Sequence, residues 1–219
     1  MPNFALNGFE FYDAPKNGGT TVRLWLKYAE GSLPADFARD GYYTLAGVGL
    51  PRQWTDTVMG PQPFFAHGAK GNRRWCITRD PVERFISAYT DKILRETLTS
   101  WSVDTCLDLL ESGEMERIAR STNPTRRKQA ACHLLGQCIW FGRDRGYFDH
   151  VFSIAEMDRV REFCEDKVFK MPLPAFHGRN QSRSGIDRVI ISAAQRDRLE
   201  RIFAEDYEVG WCSLRQNEM

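Results

Sequence analysis

The sequence lacks a long apolar run, an excess of one charge, internal repeats and low-complexity tracts. No apolar stretch approaches the roughly 20 residues that a membrane-spanning helix requires, and the N-terminal residues show neither the basic flank nor the apolar core of a signal peptide. The 30 basic and 29 acidic side chains leave a formal net charge of +1, which creates no global field for nucleic acid. We therefore expect a cytoplasmic protein with no integral membrane segment and no nucleic-acid partner.

The six cysteines form no C-x-x-C pair, and most of them lie within apolar patterns. Such placement is typical of buried free thiols rather than of disulfides or zinc ligands. Cys132 and Cys138 lie near His133, but their spacing does not put all three on one face of a helix. We expect no metal site.

The composition is that of a globular α/β protein. With 219 residues, 42% of them hydrophobic and 27% charged, the chain can bury one substantial core, and we expect a single domain over residues 1–219. Strands predicted at 8–13, 73–78 and 149–154 are each followed by helical signals, which favours a parallel sheet. Predicted helices span 20–30, 81–97, 103–119, 126–140, 156–165 and 192–206. Residues 31–66, rich in glycine, proline and aromatics, are typical of a long functional loop.

The first strand-to-helix junction carries the residues of an anion-binding loop, Ala14-Pro15-Lys16-Asn17-Gly18-Gly19-Thr20-Thr21. Unpaired N–H groups and the helix dipole favour phosphate or sulfate there, and glycines let the backbone approach it closely. We expect Thr20 and Thr21 to cap the helix and to donate hydroxyls to the anion. Lys16 precedes the glycines, so the triphosphate pattern G-x-x-x-x-G-K-[ST] is not met. The buried side of the helix is predicted to comprise Val22, Leu24, Trp25, Leu26 and Tyr28.

A second block, residues 73–89, indicates a short apolar strand that leads into a helix. Asp80 is a natural N-cap, Pro81 fits the first helical position, and Glu83 completes a capping box. This scaffold requires neither Arg79 at the strand end nor Ser87 two turns into the helix. Arginine suits phosphate because its planar guanidinium donates two parallel, charge-assisted hydrogen bonds. One candidate basic cluster comprises Arg73, Arg74, Arg79 and Arg84.

These two blocks resemble those of sulfotransferases that use 3′-phosphoadenosine 5′-phosphosulfate (PAPS). The Lys16 loop is similar to their 5′-phosphosulfate loop, and residues 79–89 are similar to their R-D-P-x-x-R-x-x-S-x-Y block, whose arginine and serine bind the 3′-phosphate. The resemblance implies a three-layer parallel sheet flanked by helices, the P-loop nucleotide-kinase-like sulfotransferase fold. The donor-binding residues that it implies are Lys16, Asn17, Gly18, Gly19, Thr20, Thr21, Arg79 and Ser87.

Later blocks follow in the order of the same family. His133 to Gln137 resembles the H-x-x-x-Q element of the carbohydrate-type, sulfotransferase family 2-like branch. Residues 177–184 resemble a polar loop that closes over the nucleotide. That loop adds Arg179, Asn180, Ser182 and Arg183 to the implied donor-binding residues. Ser192 to Gln195 form a capping box that begins a terminal helix.

The resemblance implies a PAPS-dependent O-sulfotransferase that releases 3′,5′-adenosine diphosphate (PAP) and needs no metal. We expect Lys16 to stabilise the negative charge that develops on the leaving oxygen. His67 is the candidate general base, because imidazole titrates near neutral pH and relatives carry a histidine in this region. His133, or a glutamate from the 31–66 loop, remains an alternative base.

The acceptor implied by the carbohydrate-type elements is a glycan or glycolipid, although a phenol, an alcohol, a lipid or a peptide tyrosine stays open. A kinase on a related fold is an alternative function, which would need magnesium and a lysine after the glycines. A non-catalytic PAP-binding module is another, which would lack Lys16 or the base. Two further basic clusters, for which a solvated surface and an anionic partner are the alternatives, are Arg126, Arg127 and Lys128, and Arg179, Arg183 and Arg188. The sequence does not predict the oligomeric state.

Overall fold

The computed structural model of the protein describes residues 3–33, 71–123, 125–175 and 187–212. Within them, a sheet contains four strands in the order β1 (Phe4–Leu6), β2 (Phe9–Tyr12), β3 (Arg73–Thr78) and β4 (His150–Ser153). β1 is antiparallel to β2, and the other neighbouring strands are parallel. The strands predicted at 8–13, 73–78 and 149–154 are thus confirmed.

The sequence prediction misses strand β1. Asn7 and Gly8 form the turn between β1 and β2, with φ values of 50° and 80°, and Leu6 pairs with Phe9 across it. Asn-Gly favours such a two-residue hairpin turn because both central residues need positive φ. The turn signal is present in the sequence, but a strand of three residues is too short to show a periodic pattern.

Nine α-helices occur within the described residues. They are α1 (Gly19–Ala29), α2 (Pro81–Tyr89), α3 (Val103–Glu111), α4 (Glu114–Ala119), α5 (Arg126–Leu134), α6 (Gln137–Phe141), α7 (Met157–Phe163), α8 (Ala193–Ile202) and α9 (Ala204–Glu208). Short 3-10 turns cover Arg145–Tyr147 and Ile154–Glu156.

The predicted helices 103–119 and 126–140 are broken in the structure, and so is 192–206, in which Phe203 separates α8 from α9. Gly113, with a φ of 75°, separates α3 from α4 inside the predicted helix 103–119. The predicted helix 126–140 is interrupted at Leu135 and Gly136, whose extended backbone separates α5 from α6. Apolar spacing continues across the first two breaks, so a periodicity argument joins helices that the backbone keeps apart.

The predicted helix 81–97 changes type along its length. It is α-helical to Tyr89 and then forms a π-helical turn over Thr90–Arg95. A second π-helical turn, Cys164–Phe169, extends α7 in the same way. Single π turns of this kind occur often at functional sites, because they rotate the following side chains relative to a regular helix.

The sheet buries an apolar layer on each face. Phe11, Trp75 and Ile77 face one layer, where they pack with side chains of α1 and α7. Tyr12 and Cys76 face the other layer, which also contains side chains of α2 and α5. The alternation follows from the two-residue period of a strand. The result is a mixed α/β fold in which helices flank the sheet.

The helices on either side of the sheet follow their predicted patterns, with two corrections. Trp25 is buried as expected, but Tyr28, predicted on the same side of α1, is 39% exposed. Asp80 caps α2 by accepting a hydrogen bond from the Glu83 backbone N–H, as predicted. The Glu83 carboxylate, expected to complete a capping box, pairs instead with Arg188 and lies within 3.8 Å of Arg196.

The register of β2 and β3 brings two loops to one edge of the sheet. Tyr12 is paired with Cys76, so the anion-binding loop after β2 and Arg79 after β3 leave the sheet together. Arg73 and Arg74 begin β3, which puts them at the opposite edge from Arg79. The single basic cluster expected from these arginines is therefore wrong, because a six-residue strand is about 20 Å long.

No helix within the described ranges has the length and apolar character needed to cross a membrane. All six cysteines are free thiols. Five of them are buried and Cys212 is half-buried.

Candidate functional site

The loop between β2 and α1 is held in an unusual backbone conformation. Lys16 has a φ of 72° and Gly18 a φ of 89°, and Gly18 is the N-cap of α1. The helix begins at Gly19, so Thr20 and Thr21 lie within it and the expectation that they cap it is wrong. Both threonines remain in the first turn, where the Thr21 backbone N–H donates to the Gly18 carbonyl at 2.9 Å.

Gly19 is required by close packing rather than by its dihedral angles. A Cβ atom at this position would overlap the carboxylate of Asp13, which ends the β2 segment. The Asp13 side chain is 10% exposed, and its Oδ2 lies 3.7 Å from the Arg23 guanidinium. Burial raises the pKa of the Asp13 carboxyl to about 6, against the opposing influence of Arg23. Its Oδ1 atom has no hydrogen-bond partner among the described residues.

Gln137 connects the anion-binding loop to the end of β3. Its Oε1 atom accepts hydrogen bonds from Asn17 Nδ2 and from the Arg79 backbone N–H, both at 2.9 Å. Its Nε2 atom donates to the Arg79 carbonyl at 2.8 Å. Gln137 and Asn17 are both fully buried. One amide group therefore fixes the loop and the arginine relative to each other.

Gln137 is in turn held by the last described helix. The Asp206 carboxylate accepts hydrogen bonds from the backbone N–H groups of Gln137 and Cys138, at 2.7 and 2.6 Å. This carboxylate satisfies the free donors at the start of α6, as a capping side chain would. The glutamine of the H-x-x-x-Q element thus has its position set from both sides.

Two arginines reach the loop itself. Arg79 Nη1 donates to the Lys16 carbonyl at 3.3 Å. Arg84 Nη1 donates to the carbonyls of Pro15, at 3.1 Å, and His133, at 3.3 Å. Arg84 is fully buried, and its Nε and Nη2 atoms find no hydrogen-bond partner in the described part of the chain. A buried guanidinium with unpaired donors is costly, so this positive charge favours an anion nearby.

The Lys16 ammonium is paired with Asp91, which lies in the π-helical turn after α2. The distance from Nζ to Oδ2 is 2.7 Å, and both side chains are largely buried. Burial, together with the positive charges of Lys92, Arg95 and Arg79, lowers the pKa of the Lys16 ammonium to about 7, and Glu96 acts in the opposite sense. The lysine therefore titrates near neutral pH, where its charge depends strongly on its surroundings.

His133 is a poor proton acceptor in this environment. Its Nδ1 lies 2.7 Å from the Gln129 carbonyl, which can only accept, so Nδ1 carries the proton of the neutral ring. Burial, with the positive charges of Lys92, Lys16 and Arg84, lowers the pKa of the imidazole to about 3. A base this weak removes a proton inefficiently at neutral pH.

The remaining predicted site residues divide into two groups. Ser87 lies on α2 after Arg79 and is half-buried. His67, Arg179, Asn180, Ser182 and Arg183 lie outside the residues that the structure describes. Of the third basic cluster only Arg188 is described, and it pairs with Glu83.

The second basic cluster has mixed surroundings. Lys128 is buried, and its ammonium donates to the Ser121 carbonyl. Arg126 donates to the Glu96 carbonyl at 3.1 Å, and the Arg127 guanidinium lies 5.4 Å from the centre of the Trp101 ring.

Within the described ranges, no group of His, Cys, Asp and Glu side chains is placed to hold a metal ion.

Sequence reasoning missed Asp91, the role of Arg84, and Asp13. Asp91 follows Ser87 by four residues, or about one helical turn, and that spacing was a usable signal. The arginine of R-D-P-x-x-R gave a signal for Arg84, but a sequence does not reveal that the side chain turns beneath another loop. For Asp13 the only signal was its place between a strand and the glycines.

The comparison with known families bears on this site. The family model Sulfotransfer_2, described as "Sulfotransferase family", matches residues 50–135. The match supports the sulfotransferase family 2-like branch. The matched range includes Arg79, Ser87 and His133, so the sulfotransferase block and the Lys16 loop before it meet at one edge of the sheet. No curated protein and no solved structure gives a significant match to the chain.

Proposed function

We propose that this protein transfers a sulfuryl group from PAPS to an acceptor hydroxyl and releases PAP. The observation that carries the proposal is the contact between the two predicted half-sites: Arg79 donates to the Lys16 carbonyl, and Gln137 links Asn17 to Arg79. One adenosine donor with anionic groups at both ends can engage two half-sites this close. The family match supports sulfotransferase chemistry in general. We also infer that the fold is of the P-loop nucleotide-kinase-like type.

The loop would hold the phosphosulfate end of the donor. α1 begins at Gly19, and the Gly19 and Thr20 backbone N–H groups precede the first bond of the helix, which Thr21 donates to the Gly18 carbonyl at 2.9 Å. The Asn17 side chain donates to Gln137 and its backbone N–H donates to the Ala14 carbonyl at 3.2 Å, so Asn17 braces the loop. Arg84 lies beneath the loop and adds a buried positive charge. These groups favour an anion without requiring a large rearrangement.

Lys16 is the group that would act on the reacting atoms. Transfer breaks the bond between the sulfur and the bridging oxygen, and negative charge develops on that oxygen. A positioned ammonium stabilises this charge more in the transition state than in the ground state, which is the source of its effect on rate. The sulfuryl group carries less charge than a terminal phosphate, so lysine and backbone N–H groups suffice in our proposal, with no metal.

Arg79 and Ser87 would bind the 3′-phosphate. A guanidinium at the carboxyl end of a parallel strand lies where ligands of open α/β sheets bind. Arg79 uses Nη1 for the Lys16 carbonyl, which orients the guanidinium plane and leaves its other donors for phosphate. Arg179, Asn180, Ser182 and Arg183 stay part of the proposal as a polar loop over the nucleotide.

The proposed acceptor is a hydroxyl of a carbohydrate or glycolipid. Its proton would go to His67, which remains the proposed general base. The described geometry disfavours His133 for that role, since burial and nearby cations lower the pKa of its imidazole to about 3 and make it a weak base. His133 instead braces the site through its backbone carbonyl, which accepts from Arg84.

Titration calorimetry with PAP, ATP and 5′-AMP tests the nucleotide class directly. We expect PAP to bind most tightly, because only PAP places an anion at each half-site. Transfer of labelled sulfate from PAPS to a panel of glycans and glycolipids then tests the reaction. Tighter binding of ATP with magnesium, together with phosphate transfer, would instead support a kinase and overturn the proposal.

A further inference from the structure

Asp91 is the common partner of three cationic side chains at the edge of the proposed site. Its Oδ2 atom lies 2.7 Å from Lys16 Nζ and 3.2 Å from Lys92 Nζ. Its Oδ1 atom pairs with the Arg95 guanidinium. The side chains of Lys16, Asp91 and Lys92 are only 12–15% exposed, so these contacts are poorly screened by water and salt.

The π-helical turn fixes where Asp91 points. Lys92 Nζ also pairs with the Glu96 carboxylate at 2.5 Å, and Arg126 donates to the Glu96 carbonyl at 3.1 Å. Both contacts hold the end of the turn. Asp91 therefore approaches Lys16 from a braced segment rather than from a free surface loop.

We propose that Asp91 is a positioning residue for Lys16: its carboxylate holds the ammonium charged and in place until an anion of the donor replaces it. The role in turnover rests on the proposed function, whereas the pairing can be measured without it. Asp91 does not contact the reacting atoms in this proposal. It acts through Lys16.

Lys16 can exchange Asp91 for an anion of the donor because Asp91 has other cationic partners. When Lys16 turns to the donor, Lys92 and Arg95 still neutralise the carboxylate. Breaking a buried ion pair usually leaves one charge uncompensated, at a large cost. The two remaining cations remove that cost on the Asp91 side, and the donor anion removes it on the Lys16 side.

The charges around Lys16 explain why a carboxylate is needed there. Burial and the nearby cations act against the ammonium form, whose pKa is about 7 with Asp91 in contact, so removal of this carboxylate leaves Glu96 to oppose them. The charged and titratable groups that face the Lys16–Asp91 pair are Lys92, Arg95 and Glu96 from the π-helical turn, Arg79 from the end of β3 and His133 from α5.

The first test measures the charge of Lys16 in the donor-free protein. Reductive methylation is followed at Lys16 by mass spectrometry from pH 5 to 10, because only the neutral amine reacts. In Asp91→Asn we expect the apparent pKa of Lys16 to fall by about 1–3 units, since an opposite charge at contact distance typically shifts a pKa that far. Glu96→Gln is the matched control, because it removes an equal charge that also pairs with Lys92 but does not touch Lys16. We expect the apparent pKa of Lys16 to shift less than half as far in Glu96→Gln as in Asp91→Asn.

The second test follows turnover against pH. Lys16 must be protonated to act, so activity falls as pH rises through its pKa. A pKa lowered by one unit, from about 7, makes kcat/KM for PAPS roughly tenfold lower than wild type above pH 8, and within about twofold near pH 5.5. Asp91→Glu keeps the charge, and we expect it to restore most of the wild-type profile.

The two tests separate the inference from the proposed function. If wild type does not use PAPS but the pKa of Lys16 still falls in Asp91→Asn, the proposed function fails and the pairing of Lys16 with Asp91 stands. An unchanged pKa of Lys16 in Asp91→Asn overturns the inference. So does an equal shift in Glu96→Gln, because the effect would then be one of total charge rather than of the direct contact.

Discussion

Two cation–carboxylate clusters in this protein have different surroundings. On the surface, Arg198 of α8 donates to Asp108 at 2.8 Å and to Glu111 at 2.6 and 3.0 Å. At the proposed site, Asp91 pairs with Lys16, Lys92 and Arg95. The side chains of Asp108 and Glu111 are 69% and 43% exposed, whereas that of Asp91 is 12% exposed.

The balance of charge also differs between the clusters. Around Arg198 the carboxylates outnumber the cation, and water can solvate the excess negative charge. Around Asp91 three cations face two carboxylates, Asp91 and Glu96, and the buried Arg84 nearby keeps two donor atoms without a described partner. A surplus of poorly solvated positive charge is costly, and an anion that binds nearby lowers that cost. The two clusters therefore differ in exposure and in the sign of their excess charge, and the excess around Asp91 is the one that favours an anion.

Removing the Lys16 ammonium should have the largest effect. In Lys16→Ala we expect turnover of PAPS to fall by roughly a hundred- to a thousandfold, because a preorganised donor to a developing oxyanion contributes about that much. PAP binding, measured by calorimetry, should change little, since PAP lacks the transferred group. Lys27→Ala, at the far end of α1, is the matched control and should behave as wild type. Comparable losses in turnover and PAP affinity would mean that Lys16 acts only in binding.

Arg79→Ala should weaken PAP binding by about ten- to a hundredfold, which is the usual effect of losing a charge-assisted hydrogen bond. The same change at Arg73, which begins strand β3 at the opposite edge, should leave PAP affinity unaltered. Calorimetry on both variants gives the ratio of their dissociation constants for PAP. If Arg73→Ala weakens binding as much as Arg79→Ala, the anion is attracted by overall charge and not by a site at the strand end.

Asp13 offers a test of stability against pH. Its pKa is raised by burial from 3.8 to about 6, so the folded protein binds more protons than the unfolded chain between these values, and stability falls as pH rises through them. Asp13→Asn removes the ionised form. We expect its free energy of unfolding at pH 7.5 to exceed that of wild type by roughly 1–3 kcal/mol, since one pKa unit corresponds to about 1.4 kcal/mol.

The gain from Asp13→Asn should vanish near pH 4, where the wild-type carboxyl is protonated in the folded state. Urea unfolding of wild type and Asp13→Asn at both values of pH measures this gain in the free energy of unfolding. Asp104→Asn, which changes an exposed carboxylate, serves as the control. A stabilisation of Asp13→Asn that is equal at pH 4 and pH 7.5 would rule out ionisation as its cause.

Much of the fold could be predicted from the sequence because the signals were local. The β2–α1 junction and the Asp80 cap depend on residues that are neighbours in the chain, and both were found. The break at Gly136 was missed, since apolar positions continue on both sides of it. A periodic pattern shows which face is buried, but not where the backbone turns.

The site was less predictable because its contacts join distant parts of the chain. Asn17 and Gln137 lie 120 residues apart, and Lys16 and Asp91 lie 75 apart. The Lys16 loop, Arg79 and Gln137 were each singled out from sequence, yet nothing in the sequence indicates that one amide joins the loop to the strand. Asp91 was missed for the same reason, since its role depends on a π-helical turn that no short motif predicts.

The smallest effect is expected at the surface cluster. Arg198→Met keeps most of the side-chain stem but removes the charge, and we expect the urea midpoint to fall by a few tenths of a molar at most in 0.05 M salt, because exposed ion pairs contribute little to stability. In 1 M salt, where the Debye length is about 3 Å, the difference should disappear. The lowered pKa of Lys16 in Asp91→Asn should persist in the same salt, because that pair is 12–15% exposed. If salt abolished both effects alike, burial would not be what separates the two clusters, and the surplus charge at the site would be as solvated as that around Arg198.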